Sequence, residues 1–564
     1  TAQAALRDVE VGGAPVQVTG LDALRGSAGE TDGGAGVVIE TLLAGFGALL
    51  VLALVFRSAM AFVPLLMAVV AIPTTFLLIW PIAAVTDVSV IVQFLVALIG
   101  LGIAIDYALL IVVRWREERQ RAHVDDDEAV HRAMQHAGSA VVFSGTTVAI
   151  ALFALIAIPL PFLRSMGYAG LLIPLVSVGV ALTLLPVLLV RFGQKLDWPH
   201  RRDDDKASRA WTRWATAVVR RRWLSAAVAI GVLVALTAAA SGLNLGTSDP
   251  QVMAKEGDAK IALEALDDSG IGTGALAPYE VISPPGDARA VVDATAAVAG
   301  IHGAVAPDDP AWQQGGTRLL AVFPEPNPAT GEARDLVTAV VDAGEGVAPG
   351  VGVTGPMAGD KAFVDTVYGN FPLLILLISI VTYILLARAF RSLLLPLKAI
   401  VLNVLSVAAA WGVLTLVWQH GNGSQIWGID PTGAIASWIP LMVFAFLFGL
   451  SMDYEVFILS RIREEFDNVG DTNRAVVEGL GRTGRLVTSA AMILFLAFIA
   501  MASGPQVDVK VLATGLAAGI LLDATVIRGL LVPAVVSLMG RWNWWLPPWA
   551  ARILRVEPSA ARAA

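Results

Sequence analysis

Apolar residues in this chain run in long unbroken stretches, not in the alternation of strands or the single stripe of a surface helix. A helix crossing roughly 30 Å of hydrocarbon needs about 20 mostly apolar residues. Eleven stretches qualify, near 37–56, 60–83, 89–113, 140–160, 166–190, 223–242, 371–388, 393–417, 434–458, 486–503 and 509–536. They predict a polytopic α-helical membrane protein. Between the sixth and seventh, residues 243–370 have another texture. Strand-like runs at 279–283, 318–323 and 351–354, a weaker one near 303–305, and helix-like runs at 288–299 and 333–343 follow the order β-α-β-β-α-β. That order predicts an α+β domain of the split βαβ type.

Composition sharpens this picture. Hydrophobic residues make up 56% and charged residues 15%, where a soluble protein carries about a quarter charged. Soluble enzymes, disordered chains and fibres are excluded. The net charge of −8 gives no basic footprint for nucleic acid. With no cysteine there is no disulfide, thiolate ligand or thiol nucleophile. The six histidines show no metal-ligand pairing; His131 and His136 are five apart in a charged loop. Neither a cofactor nor a metal is expected, and the chain does not read as an enzyme.

Lys and Arg in the loops set the orientation. Residues 191–222 hold ten, and 114–137 and 461–485 hold five each. These loops belong in the cytoplasm, which places 243–370 outside. That segment has 18 Asp/Glu against six Lys/Arg, in keeping with solubility and the positive-inside bias. The organisation is then as follows: 1–36, the end of a first extracytoplasmic domain; 37–190, a five-helix bundle; 191–222, a basic linker. A single span at 223–242 leads to the 243–370 domain, a second five-helix bundle at 371–540 and a Trp-rich tail at 541–564. Trp211, Trp214 and Val218 share one face of an amphipathic helix on the inner leaflet. Trp542, Trp544, Trp545 and Trp549 read as a second interfacial anchor.

The halves repeat. Val18-Thr19-Gly20 matches Val353-Thr354-Gly355, Phe56-Arg57-Ser58 matches Phe390-Arg391-Ser392, and Asp106-Tyr107 matches Asp453-Tyr454. Glu117-Glu118 and Pro186 match Glu464-Glu465 and Pro533. Both Asp-Tyr helices end in basic loops, so the repeat is parallel. It also predicts a counterpart of the 223–242 span and most of a first outer domain before Thr1, giving 12 spans in about 700 residues by extrapolation.

Asp106 and Asp453 each stand eight residues before an Arg at the inner helix end, about 12 Å inside it at ~1.5 Å per residue. A carboxylate there costs about 3 kcal/mol unless paired, protonated or hydrated. Such a group can take a proton from one side and release it to the other. Tyr107 and Tyr454 project away from their own Asp, so in a two-fold arrangement each reaches the other's: Asp106 with Tyr454, Asp453 with Tyr107. Asp523 and Arg528 lie in the last span. Their i, i+5 spacing is poor for a direct bond on one α-helix, so each is expected to contact the Asp-Tyr helices instead. Glu455, with Ala108 at the matching position, is a candidate neighbour of the relay. No phosphate-binding GxxxxGK[ST] loop is present, which leaves an ion gradient or a partner as the energy source and favours protons.

The segments GIAIDY, GLSMDYEVFILSRIREE and LLDATVIRGLLVP, with the two FRS loops, resemble the resistance-nodulation-division (RND) superfamily and, within it, the MMPL (mycobacterial membrane protein large) branch. The resemblance covers essentially the whole chain. It implies proton-driven export of a lipid, glycolipid or other hydrophobic molecule across the cytoplasmic membrane. It also implies that Asp106, Tyr107, Asp453, Tyr454, Asp523 and Arg528 form the proton pathway. The Ala/Gly/Arg-rich composition resembles that of a high-GC actinobacterial protein. Expected partners are membrane lipids, a hydrophobic substrate and protons, with no nucleic acid; homo-oligomerisation stays open. The alternatives are a drug or secreted-metabolite efflux pump and, of another class, a protein-translocation motor or a sterol-sensing-type regulator.

Overall fold

The computed structural model describes residues 5–6, 9–11, 13–27, 33–122, 125–198, 208–253, 256–423, 431–504 and 506–556. Among them, ten helices are long and apolar enough to cross a membrane. Four belong to the first repeat: Ala59–Ala83, Ile91–Gln120, Asp126–Ala157 and Pro161–Leu196. Six belong to the second: Arg222–Ala240, Pro356–Phe390, Leu394–Gln419, Trp438–Val469, Thr472–Met501 and Val507–Trp544. The first expected stretch is the helix Gly33–Phe56, within which Thr41–Phe56 is a shorter apolar helix.

The two Asp-Tyr helices form the centre. In their most apolar windows 89% of residues (Ile91–Gln120) and 94% (Trp438–Val469) are buried, against 22% in Arg222–Ala240. Small residues permit that density. Gly102 meets Leu494, and Gly449 meets Val148 and Ala151. At Gly145 an added Cβ would strike Val178 and press on the Tyr107 hydroxyl, so this glycine makes room for the Tyr107 ring.

The repeat is also visible at the basic-loop ends. Asp125 and Asp471 each cap the helix that follows, accepting from the backbone N–H of Glu128 (3.0 Å) and Arg474 (2.7 Å). Arg57 and Arg391 both sit in the left-handed region, at φ 51° and 49°. A non-glycine residue there costs about 1 kcal/mol or more, and both loops are held from outside. Arg116 donates to the Phe56 carbonyl (3.4 Å) and Ser58 Oγ (2.7 Å). At the matching position Arg463 donates to the Phe390 carbonyl (3.5 Å). Ser392 accepts from the Leu395 N–H (3.2 Å) and donates to the Asn543 carbonyl (2.7 Å). The FRS loops are thus clamps that fix each Asp-Tyr helix to the first helix pair of its own half.

The tryptophans divide differently from the expectation of interfacial anchors. The helix Arg209–Arg220 docks on protein: Trp211 lies against Gly484, and Trp214 Nε1 donates to the Gly529 carbonyl at 2.7 Å. Trp544 is buried, stacked on Phe466 at 4.5 Å with the Arg463 guanidinium over its ring. Trp542, Trp545 and Trp549 remain exposed. Gly484 opens the space that seats the Trp211 indole against the bundle. Arg201, Arg202 and Lys206 of the basic linker lie outside the described residues.

The acidic segment folds as an antiparallel sheet with two helices. Its main strands are β1 (Tyr279–Ser283), β2 (Ile301–Val305), β3 (Thr317–Pro324) and β4 (Gly352–Thr354), in the order β2-β3-β1-β4. This is the split βαβ arrangement, with helices Ala288–Ala296 and Gly331–Glu345 packed on one face. Strand β1 alternates as its sequence does: Tyr279, Val281 and Ser283 inward, Glu280 and Ile282 outward. The buried Tyr279 hydroxyl donates to the Ala333 carbonyl, and burial pushes its pKa up. From the first half, Leu24 of helix Leu21–Ser27 packs on Met253, Ala259 and Leu263.

Candidate functional site

Asp106 and Tyr107 sit mid-way along one central helix and Tyr454 on the other, all buried. The Tyr454 hydroxyl donates to Asp106 Oδ2 across the boundary between the halves. One of the two expected cross-pairs therefore exists in the geometry. The other, between Asp453 and Tyr107, involves the Asp453 side chain, which lies outside the described residues.

Asp523 and Arg528 correct an expectation. Their side chains are directly paired, Arg528 Nη2 to Asp523 Oδ2. The reason is backbone geometry. Residues Asp523–Leu531 form a π-helix, whose hydrogen bonds run five residues apart, so positions i and i+5 fall on one face. The α-helical spacing rule does not apply to this turn. Arg528 does not snorkel to the surface either; it is 2% exposed. Its Nη2 also donates to Ser451 O (3.0 Å) and Oγ (3.4 Å). Its guanidinium lies 4.5 Å over the Tyr454 ring, a cation–π contact that a desolvated site strengthens.

These contacts join into one chain: Asp106, Tyr454, Arg528, Asp523. It begins in the first repeat and ends in the last span. Each link is charge-assisted or cation–π, and all four side chains are buried, so every link carries more energy than at a surface. The arrangement can hold a proton at one carboxylate and change its partner when the proton leaves.

Glu455 is buried beside this chain and within electrostatic reach of Asp523, Arg528 and Lys398. Lys398 is the residue the sequence reading missed. It lies on Leu394–Gln419, nine-tenths buried, and its Nζ and Glu455 Oε1 have no hydrogen-bond partner among the described residues. A lone lysine inside the 393–417 stretch was the available signal. The site therefore holds a Lys/Glu couple in addition to the expected residues.

Toward the basic loops, a cavity of about 660 Å³ opens between the halves. Its lining includes Leu110, one turn beyond Asp106, and Phe457, one turn beyond Tyr454. Arg461 also lines it, pairing with Glu464 at 2.6 Å and with Glu117 of the other half at 3.5 Å. No cluster that could hold a metal ion occurs among the described residues.

Duplicated helical bundles, a split βαβ domain and buried charges at the bundle centre define a membrane transporter of the RND type. The chain belongs to the MMPL family, whose model matches residues 1–225 and 281–560. It is 38% identical to membrane protein SCO6666 of Streptomyces coelicolor, over 91% of this chain and 70% of that protein. It is 36% identical to the mycolic acid-containing lipids exporter MmpL11 of Mycolicibacterium smegmatis, over 92% of this chain and 55% of the relative. MmpL11 of Mycobacterium tuberculosis, named a heme uptake protein, is 35% identical over 90% of this chain and 54% of that one. The chain thus spans about half the length of the two MmpL11 relatives. Its fold is similar to the crystal structure of SecDF in its super-membrane-facing form. The TM-score is 0.51 at 16% identity, covering 90% of this chain and 62% of that one.

Proposed function

We propose that this chain moves a hydrophobic or lipid molecule across the membrane, driven by protons bound and released at Asp106 and Asp523, with Tyr454 and Arg528 holding the two carboxylates when they are charged. The observation that carries the reading is the continuous polar chain from the first repeat to the last span. An unbroken run of titratable and charged groups at bundle depth is expensive, and transporters place such groups on ion pathways. The inter-half cavity below Asp106 offers the inner exit for the proton. The names of the relatives support a lipid-like cargo, and they divide on direction, export against heme uptake. Glu455 and Lys398 set the field around the relay. Neither a cofactor nor an enzymatic step is part of this reading.

The test compares envelope lipids and secreted metabolites in a strain lacking the gene, complemented with the full-length protein or its Asp106→Asn form. The expected result is that one lipid species accumulates inside and only the unchanged protein restores its export. Identical profiles in all strains would count against constitutive lipid export and favour inducible efflux. A general secretion defect would favour a protein-translocation motor.

A further inference from the structure

At the end of the bundle away from the basic loops, the helix carrying Tyr454 starts at Ser437, and this residue is gripped from several sides. Ser437 Oγ donates to Asp360 Oδ1 at 2.6 Å. The Tyr368 hydroxyl donates to the Ser437 carbonyl at 2.7 Å. Asp360 and Tyr368 both lie on Pro356–Phe390, which runs directly out of strand β4 of the acidic domain. The other carboxylate oxygen, Asp360 Oδ2, faces Arg334 of the domain helix Gly331–Glu345 at 3.6 Å. It has no hydrogen bond among the described residues. Arg334 and Asp360 are 17% and 14% exposed, and Ser437 is buried.

Arg334 has a second hold on the same place. It donates to the Leu245 carbonyl at 2.9 Å. Leu245 forms a parallel β-bridge with Ile435, two residues before Ser437. The bridge consists of Gly246 N to Ile435 O (3.0 Å) and Ile435 N to Asn244 O (2.9 Å). Asn244 and Thr247 tie the same strip to the domain through the carbonyls of Ala329 (3.1 Å) and Pro328 (3.1 Å). The backbone bonds are fixed joints. The Arg334–Asp360–Ser437 link runs through side chains, and its ion pair is not closed into a hydrogen bond.

We propose that Asp360 is a coupling node: with Arg334 and Ser437 it transmits movement of the Tyr454 helix to the acidic domain. Tyr454 lies 17 residues along that helix from Ser437, about 25 Å away at ~1.5 Å per residue. A continuous helix carries an axial shift or rotation over that distance with little loss. When Tyr454 loses or gains its hold on Asp106, the helix end moves, and Asp360 relays the displacement to the domain through Arg334. This inference rests on the proton-relay reading above. Asp360 and Arg334 are positioning residues, remote from the relay itself.

The experiment uses hydrogen exchange on the full chain in lipid nanodiscs, with proton flux measured separately in proteoliposomes. Asp106→Asn mimics the protonated carboxyl. With the node intact, Asp106→Asn shifts exchange of amides 244–249 and 331–345 by about fivefold or more, the scale of ordinary coupling energies. In an Asp360→Ala background the same substitution leaves those amides within about twofold. Arg334→Gln and the isosteric Asp360→Asn give the same loss of response if Asp360→Ala folds poorly. An undiminished response in all three backgrounds overturns the proposal, and so does no response with the node intact. If proton flux itself is unchanged by Asp106→Asn, the relay reading fails instead.

Discussion

The two repeats share a scaffold and differ in what they bury. Among the described residues, the first half places Asp106 mid-way along its central helix, and its other buried carboxylates, Glu118 and Asp197, lie near the basic loops. At the same level the second half carries Glu455, Asp523, Arg528 and Lys398, all buried, besides Asp453. The matching positions in the first half are apolar. The Asp-Tyr register sets Glu455 against Ala108, the Pro186/Pro533 register sets Asp523 and Arg528 against Val176 and Ala181, and the FRS register sets Lys398 opposite Pro64. The last span turns through a π-helix at Asp523–Leu531, whereas the corresponding Pro161–Leu196 is α-helical throughout. Duplication thus supplied two similar frames, of which one gathered the charges. Among the described residues, the first half meets this polar chain through the Tyr454–Asp106 contact. That contact is the place where relative movement of the halves and a change of protonation act on each other.

The sharpest break in the comparison is Arg528→Met. It leaves Asp523 buried without its partner, a change worth about 3–5 kcal/mol, visible as a lowered thermal midpoint in detergent. The double change Asp523→Leu with Arg528→Met gives the last span the apolar character of its counterpart. It recovers most of that stability, because replacing a buried pair by apolar residues is often near neutral, while proton flux stays absent. A smaller effect comes from Tyr454→Phe, which removes one charge-assisted hydrogen bond and keeps the ring under Arg528. Proton flux should fall roughly tenfold or more, as a bond of about 1.5–3 kcal/mol implies, with little change in the midpoint. Lys398→Met is milder, since Lys398 makes no hydrogen bond among the described residues. Its effect should vanish in a Glu455→Gln background, so a double-mutant cycle reads the Lys/Glu coupling directly.

The smallest effect lies outside the membrane. The Arg318 guanidinium bonds the exposed Asp308 and holds its carboxyl below the usual range. A carboxylate with a lowered folded-state pKa adds stability above its unfolded value and loses it as pH falls through the folded one. The pair is exposed, so Asp308→Asn should leave the midpoint unmoved at neutral pH.

Much of this was legible in the residues. The long apolar runs, the split βαβ order and the Asp-Tyr cross-contact follow from periodicity, loop chemistry and the repeat. The Asp523–Arg528 bond was not, because hydrophobic patterning carries no mark of a π-helix, and α-helical spacing placed the two side chains apart. Trp544 and Trp211 looked interfacial, since sequence shows an aromatic near a membrane end but not the Phe466 ring that stacks on Trp544 or the space Gly484 opens for Trp211. Lys398 was visible as a charge in an apolar run. Its significance came only when folding set it within reach of Glu455. The Asp360–Ser437 contact spans 77 positions and has no local signature.

Proton movement through this bundle depends on the Asp106 carboxylate. The most direct measurement is proton uptake into proteoliposomes holding the full-length protein and a pH-sensitive dye, under an imposed pH gradient, for the unchanged protein and Asp106→Asn. Asp106→Asn should reduce the flux to the protein-free leak while the thermal midpoint holds. Equal flux in both proteins would contradict it.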